Sequence, residues 1–491
     1  MIKHWTDKDR YRPYNEWDDA YLVELKKRVK QSNWRLGFHI QPQTGLLNDP
    51  NGFSFFNNQW HLFYQSYPYG PVHGLKSWHH LTSTDLIHWK DLGLALQPNN
   101  QFDSHGIFSG SALSTLEGLV FMYTGNVRDQ NWQRHSYQNV AIMDSGNAIN
   151  KITEPAITTP TNIFTEDIRD PQLLKIHKEY KVILGAQTIN KTGAIAVFKG
   201  HSLEDLKYQG DLKIDKELSG YMIECPNLVF IDKHPVLLFC PQGLDHKQHE
   251  YQNVYPNTYL TGESFSWDYL EIKHPSALAN LDEGFDVYAT QAFNAPDGRA
   301  LEVSWVGLPE MEYPTDSDGW SGALSLVKEL TLKNGELFQY PVKETKELRK
   351  NEQVNIKQLA NSSNQYELEI QIKDNQTGEL QLLRSEDGQH YLSLHFDTTM
   401  GKLVLDRSHS PQPINVKFGQ KRIANVSSHS DLKLNIFVDN SVVEIFVNNG
   451  EKVFTSRYFP LLNESGINVK TSDENDTIRT KMWDLLKTNH N

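Results

Sequence analysis

The segment Leu46-Leu47-Asn48-Asp49-Pro50-Asn51-Gly52, continuing as FSFFNNQWHLFYQ to Gln65, decides how this chain is read. It is a strand, a short polar turn at Asn57-Asn58, and a second apolar strand. The pattern returns in SGSALSTLEGLVFMYTG from Ser109, DPQLLKIHKEYKVILGAQ from Asp170, CPNLVFIDKHPVLLFCPQ after Glu224, and ATQAFNAPDGRALEVSW from Ala289. The starts fall roughly sixty residues apart, a period that marks a repeat architecture. Five such units predict a five-bladed β-propeller, in which one strand of each blade faces a central channel. If the innermost strands run the same way, their first residues meet at one mouth. Asp49, Asp170 and Glu224 then converge, although far apart in sequence. Convergent carboxylates in a concave site point to glycosidic bond hydrolysis.

The fold class expected is all-β. Residues 1–33 form an N-terminal extension with a short amphipathic helix within 15–31, acidic at its start and basic at its end, as the helix dipole favours. Residues 34–340 form the propeller. A second repeat has the same phase: Ser83-Thr-Asp85-Leu86 resembles Ser202-Leu-Glu-Asp205-Leu206, about 120 residues later, and reads as a structural turn closing an outer strand. Residues 341–364 are polar and short of aromatics, as in a linker. Residues 365–491 alternate with period two at Tyr366, Leu368, Ile370 and Ile372, then at Leu432, Leu434, Ile436 and Val438, then at Val443, Ile445 and Val447. Half-buried strands with hairpin turns at Asp439-Asn440-Ser441 and Asn448-Asn449-Gly450 predict an antiparallel β-sandwich.

A formal net charge of −13 argues against nucleic acid and anionic membrane surfaces as partners. The N-terminus is polar and no apolar run approaches a membrane span, so a cytoplasmic location is expected. Two cysteines, Cys225 and Cys240, cannot build a disulfide framework. There is no HExxH, no CxxC pair, no P-loop, no GxGxxG and no Gly-x-Ser-x-Gly elbow. No metal and no cofactor are expected. Oligomeric state is not legible.

Each carboxylate also has a plain structural reading. Asp49 lies where Asp-Pro and Asn-Gly both fit a turn. Proline holds the residue before it extended, so Asp49 is equally presented from a stiff strand start. Asn48 and Asn51 offer amide donors that favour its ionised form, as a nucleophile requires. Glu224 has mostly apolar neighbours, Met222, Ile223 and Cys225, which suits an acid that keeps its proton near neutrality. Asp170 follows Arg169: a salt-bridged pair, or an anion that grips sugar hydroxyls and steadies an oxocarbenium-like transition state.

Leu47-Asn48-Asp49-Pro50-Asn51-Gly52, Phe108-Ser109-Gly110, Arg169-Asp170-Pro171 and Glu224-Cys225-Pro226 resemble the signature motifs of the family 32 glycoside hydrolases. Phe63-Tyr64-Gln65, Ser77-Trp78, the segment from Asp286 through Tyr288 to Gln291, Glu444-Ile445-Phe446 and the stretch from Arg457 to Pro460 extend the resemblance to the C-terminus. It implies β-fructofuranosidase activity with retention. Asp49 is then the nucleophile, Glu224 the acid/base and Asp170 the transition-state stabiliser. Asn48, Gln65, Trp78, Phe108, Ser109, Arg169 and Tyr288 hold the sugar, and Leu46 and Leu47 form an apolar wall. His79 stands where the family has glycine, which bears on substrate shape. The sequence also resembles bacterial members that act on a phosphorylated sugar, with Lys76 and Arg134 as candidate basic groups at the pocket rim. The partner implied is a small sugar or sugar phosphate. A fructosyltransferase or fructan hydrolase on the same scaffold, a non-catalytic sugar-binding propeller, and an inverting arabinose-releasing enzyme are the alternatives.

Overall fold

A computed structural model describes residues 2, 4–354, 363–473 and 478–488. Five sheets of four or five strands account for the first repeats. Their innermost strands are β1 (Gly45–Phe56), β2 (Ile107–Thr115), β3 (Phe164–Ile176), β4 (Met222–Ile231) and β5 (Tyr288–Asn294). Each turns tightly into an antiparallel partner, as the apolar–turn–apolar pattern requires. β1 packs on β2, β2 on β3, β3 on β4, β4 on β5 and β5 on β1, so the sheets close into a ring. A late segment returns to seal it: Trp320 and Ser321 pair in parallel with Gly45 and Leu46 of β1. The two predicted Ser/Asp turns form at the ends of third strands. Ser83 Oγ accepts from the backbone N–H groups of Asp85 and Leu86, and Asp205 Oδ1 accepts from Ser202 N.

All five innermost strands are interrupted at the same step. The ladder skips two residues against one between Leu47 and Pro50, Ile107 and Gly110, Arg169 and Gln172, Glu224 and Asn227, and Tyr288 and Gln291. Such a bulge bends a strand and re-aims its side chains. In three strands the first bulged residue, Asp170, Cys225 or Ala289, has φ of 64°, 51° or 52°. That left-handed conformation is rare and strained for a non-glycine residue, and strain of this kind clusters at functional sites.

The helix Asp19–Lys30 forms as expected, capped by Asp18, with Leu25 and Val29 buried against Val306, Trp320 and Val442. The C-terminal unit is a sandwich of a six-stranded and a five-stranded sheet. Its core holds Tyr366, Leu368, Ile370, Ile436, Val443 and Ile445. The expectation of half-buried strands is corrected. The other face of the six-stranded sheet carries Phe437, Phe446 and Val453, and these pack on Phe38, Ile87 and Leu326 of the ring. Both faces are apolar because both are covered. Residues 341–364 are not a plain linker either. Arg349–Val354 is an edge strand of the six-stranded sheet, paired with Ile478–Leu485, while residues 355–362 lie outside the described residues.

Charged pairs lock the two units. Asp439 accepts the backbone N–H groups of Gly37, Phe38 and His39 at 2.6, 2.9 and 2.9 Å. His39 lies between Asp439 (3.0 Å) and Glu444 (2.9 Å). Burial opposes its charge, but the two carboxylates outweigh burial and raise its pKa to about 9. Asp286 accepts from Arg407 Nη1 and Arg457 N at 2.9 and 2.8 Å. No helix among the described residues is long and apolar enough to cross a membrane.

Candidate active site

The shared bulge assembles the site. A narrow cavity on the ring axis is lined by Pro50, Ser109, Asp170, Cys225 and Ala289, one from each innermost strand. The three acids stand at three successive steps of this frame. Glu224 is the last paired residue before its bulge, Asp170 the first bulged residue, and Asp49 the second. The two Asp-Pro pairs, read from the sequence as equivalent, are therefore offset by one residue. That offset gives each carboxylate different surroundings.

Asp49 is held on the wall formed by β1 and β2. Ser109 Oγ donates to its Oδ2 at 2.5 Å and Asn48 Nδ2 to its Oδ1 at 2.9 Å. Gln65, directly opposite the bulge, donates to Ser109 Oγ at 2.6 Å. The Gln65 carbonyl oxygen accepts from Asn48 Nδ2 (2.8 Å) and Lys76 Nζ (2.6 Å), so its amide orientation is fixed. Lys76 is buried rather than at a rim, which corrects that expectation. Burial pulls its pKa down to about 8, against the pull of Asp49, Glu224 and Asp170.

Glu224 is held on β4. Arg169 Nε and Nη2 reach its Oε1 at 2.9 and 2.8 Å; Gln242 Nε2 and Tyr288 OH donate to its Oε2 at 2.6 and 2.7 Å. The apolar setting expected for Glu224 is thus corrected. Ile223 and Cys225 point into core clusters on either side, and the carboxylate between them meets four polar donors. The site is tight here. Gly185, paired opposite Arg169, has the Ile223 carbonyl where a β-carbon would stand. Burial and then Glu224 raise the Tyr288 hydroxyl well above its usual value, so it remains a donor.

Asp170 accepts from Cys225 N at 2.9 Å. Burial first, then the charges of Glu224 and Asp49, push its pKa up to about 7, with Arg169 pulling the other way. Burial works against the Arg169 charge, but Glu224, Asp170 and Asp167 outweigh it and raise its pKa. Electrostatically the three acids form one cluster.

The other expected residues divide. Asn48, Ser109, Arg169 and Tyr288 touch the acids directly, as above, and Gln65 Nε2 reaches Asp49 Oδ2 at 3.4 Å. Phe108 is half-buried. Trp78 is fully buried, so it offers no face to a sugar; it donates to the Phe108 carbonyl at 3.0 Å and supports that residue from behind. Leu47 is also fully buried beside Tyr288 and Cys225, and Leu46 packs under the N-terminal segment with Trp17 and Tyr67. They back the wall rather than form it. His79 turns to Asp91 Oδ1 of the outer strand at 2.6 Å and stacks on Tyr64. Gln242 is the residue that sequence reasoning missed. The signal was present: Gln65, Gln187 and Gln242 each close one of the quoted stretches. Among the described residues no group of three or more His, Cys, Asp or Glu is arranged to hold a metal ion.

Known proteins resemble this chain over nearly its whole length. The pattern of the glycosyl hydrolases family 32 N-terminal domain matches residues 39–341, and that of the family 32 C-terminal domain matches residues 336–484. A sucrose-6-phosphate hydrolase of Pediococcus pentosaceus is 44% identical over 99% of this chain and 97% of its own. One from Streptococcus mutans is 45% identical over 94% of this chain and 96% of its own. The solved sucrose-6-phosphate hydrolase from Lactobacillus gasseri superposes with a TM-score of 0.96 at 44% identity, covering 99% of this chain and all of that one.

Proposed function

The chain belongs to glycoside hydrolase family 32 and is a β-fructofuranosidase, and from that premise we propose that it cleaves sucrose 6-phosphate, and sucrose less well, with retention at the fructosyl carbon. The observation that carries this is two carboxylates on different walls with unlike partners. Asp49 is gripped by a hydroxyl and an amide, Glu224 by a guanidinium, an amide and a phenol.

Asp49 attacks the anomeric carbon while Glu224 protonates the leaving oxygen, giving a covalent fructosyl-enzyme. Glu224, now a carboxylate held by Arg169, Gln242 and Tyr288, takes a proton from water, which releases fructose. Asp170 faces the ring as positive charge develops. That charge favours its ionised form, offsetting the burial and like-charge repulsion that otherwise work against it. Asn48, Gln65, Phe108 and Ser109 complete the fructosyl pocket. The five sheets are the blades of a five-bladed propeller over residues 34–340, and Arg349–Val354 joins the strands from Gln365 to Leu485 in the sandwich. A sugar phosphorylated during import places the enzyme in the cytoplasm.

The full-length likeness to sucrose-6-phosphate hydrolases supports the phosphorylated substrate over the transferase and fructan readings. The test is one assay of the purified enzyme on both sugars at equal concentration. A kcat/KM for sucrose 6-phosphate at least about tenfold above that for sucrose is expected, as one charge-assisted contact supplies. Equal values would overturn the phosphorylated substrate.

A further inference from the structure

We propose that Arg134, with Arg128 beside it, forms the site that receives the substrate's phosphate; this rests on the sucrose 6-phosphate reading above. In the second sheet, the strands Gly118–Arg128 and Arg134–Met143 end at a hairpin, and Arg128 and Arg134 are the last register partners. Two like charges directly opposite in an antiparallel pair destabilise the ladder. They persist here in a protein whose net charge is −13. A third guanidinium, Arg169, is close enough that it and Arg128 both depress the Arg134 pKa, after burial.

Glu224 already balances Arg169, so the shortage of anions falls on Arg134 and Arg128. Asp167 Oδ1 accepts from both Arg134 Nη1 (2.6 Å) and Arg169 Nη1 (3.0 Å). Among the described residues the Arg128 side chain reaches a backbone carbonyl, that of Trp132, at 3.2 Å through Nη1, and no carboxylate. The Nε atoms of Arg128 and Arg134 are buried with no hydrogen-bond partner among the described residues. Crowded like charges are a cost that a phosphate at the exposed end of Arg134 would relieve. It brings three acceptor oxygens and close to two negative charges at neutral pH. The guanidinium fork suits such an anion better than an ammonium would.

Position fixes which phosphate. Glu224 protonates the leaving oxygen, so the phosphorylated glucosyl unit departs on its side of the site. From Glu224 the chain of contacts runs to Arg169, then Asp167, then Arg134. The Arg134 guanidinium also lies 5.8 Å from the ring of Phe108, the neighbour of Ser109. The Arg134 side chain keeps 28% of its surface exposed, so an anion can reach it. The loop is held in place: Arg128 N donates to His105 Nδ1 at 3.2 Å, and Trp132 packs edge-on against Tyr11 and His105.

The experiment compares wild type, Arg134→Gln and Arg128→Gln on sucrose 6-phosphate and on sucrose, with glucose 6-phosphate as an inhibitor probe. In Arg134→Gln the ratio of the two kcat/KM values should fall about 10- to 100-fold, through KM, and glucose 6-phosphate inhibition should weaken alike. Arg128→Gln should show a smaller fall and stands as the test if Arg134→Gln does not fold. A purely structural role would lower both substrates together and leave the ratio unchanged. An unchanged ratio in these variants, with a wild-type enzyme that prefers the phosphorylated sugar, overturns the phosphate site alone. A wild type without that preference overturns the substrate reading, and this site with it.

Discussion

The innermost strands of the ring and the central strands of the sandwich are built from the same hairpins, yet they treat their ladders differently. In the sandwich, Gln365–Ile372 pairs with Leu432–Asp439 through eight consecutive partners without a break, and Leu432–Asp439 pairs as evenly with Val442–Val447. Every innermost ring strand is broken at the same step, and β1 and β3 are broken a second time, between Asn51 and Ser54 and between Phe164 and Ile168. The regular ladder buries apolar residues on both faces and offers nothing to a ligand. The interrupted ladder exposes polar side chains at the axis and fixes them by hydrogen bonds across strands. The meeting of the three acids arises here from a repeated defect rather than from the repeat itself.

Substitutions on either side of this contrast should separate chemistry from stability. The largest effect belongs to the bulge. Asp49→Asn should lower kcat by at least about 10⁴-fold, the scale seen when a nucleophile is lost, while the urea unfolding midpoint stays close to wild type. Retention of substantial turnover would remove Asp49 as nucleophile. A smaller effect is expected where the sandwich meets the ring. His39 has a folded pKa raised to about 9 from a normal value near 6.5, so its contribution to stability is complete below about pH 6.5 and is lost as pH rises through about 9. Chemical unfolding between those values should show wild-type stability declining, and the decline should flatten in His39→Gln. A wild-type curve flat across that window would show that the His39 charge does not hold the units together.

The repeats were legible because apolar runs and Asn-rich turns are local features. The acids were legible for the same reason, since Asp49, Asp170 and Glu224 each open or precede a repeat. Register was not legible. Asp49-Pro50 and Asp170-Pro171 look alike in the chain, and only their partner strands reveal the one-residue offset. Trp78 reads as a sugar contact through the family resemblance alone, but it is fully buried behind Phe108. The strand Arg349–Val354 is polar and carries no pattern of its own; it exists through pairing with Ile478–Leu485, far along the chain. Phe437 and Phe446 sit at positions where alternation predicts polar residues, because the ring covers that face.

The central claim is that the shared bulge sets Asp49 and Glu224 as a nucleophile and acid/base pair. A crystal structure with a non-hydrolysable fructoside bound would test it most directly, by the separation of the two carboxyl groups across the scissile bond. About 5–5.5 Å is predicted, the spacing of a retaining pair; about 9 Å, with room for a water beneath the sugar, would contradict it.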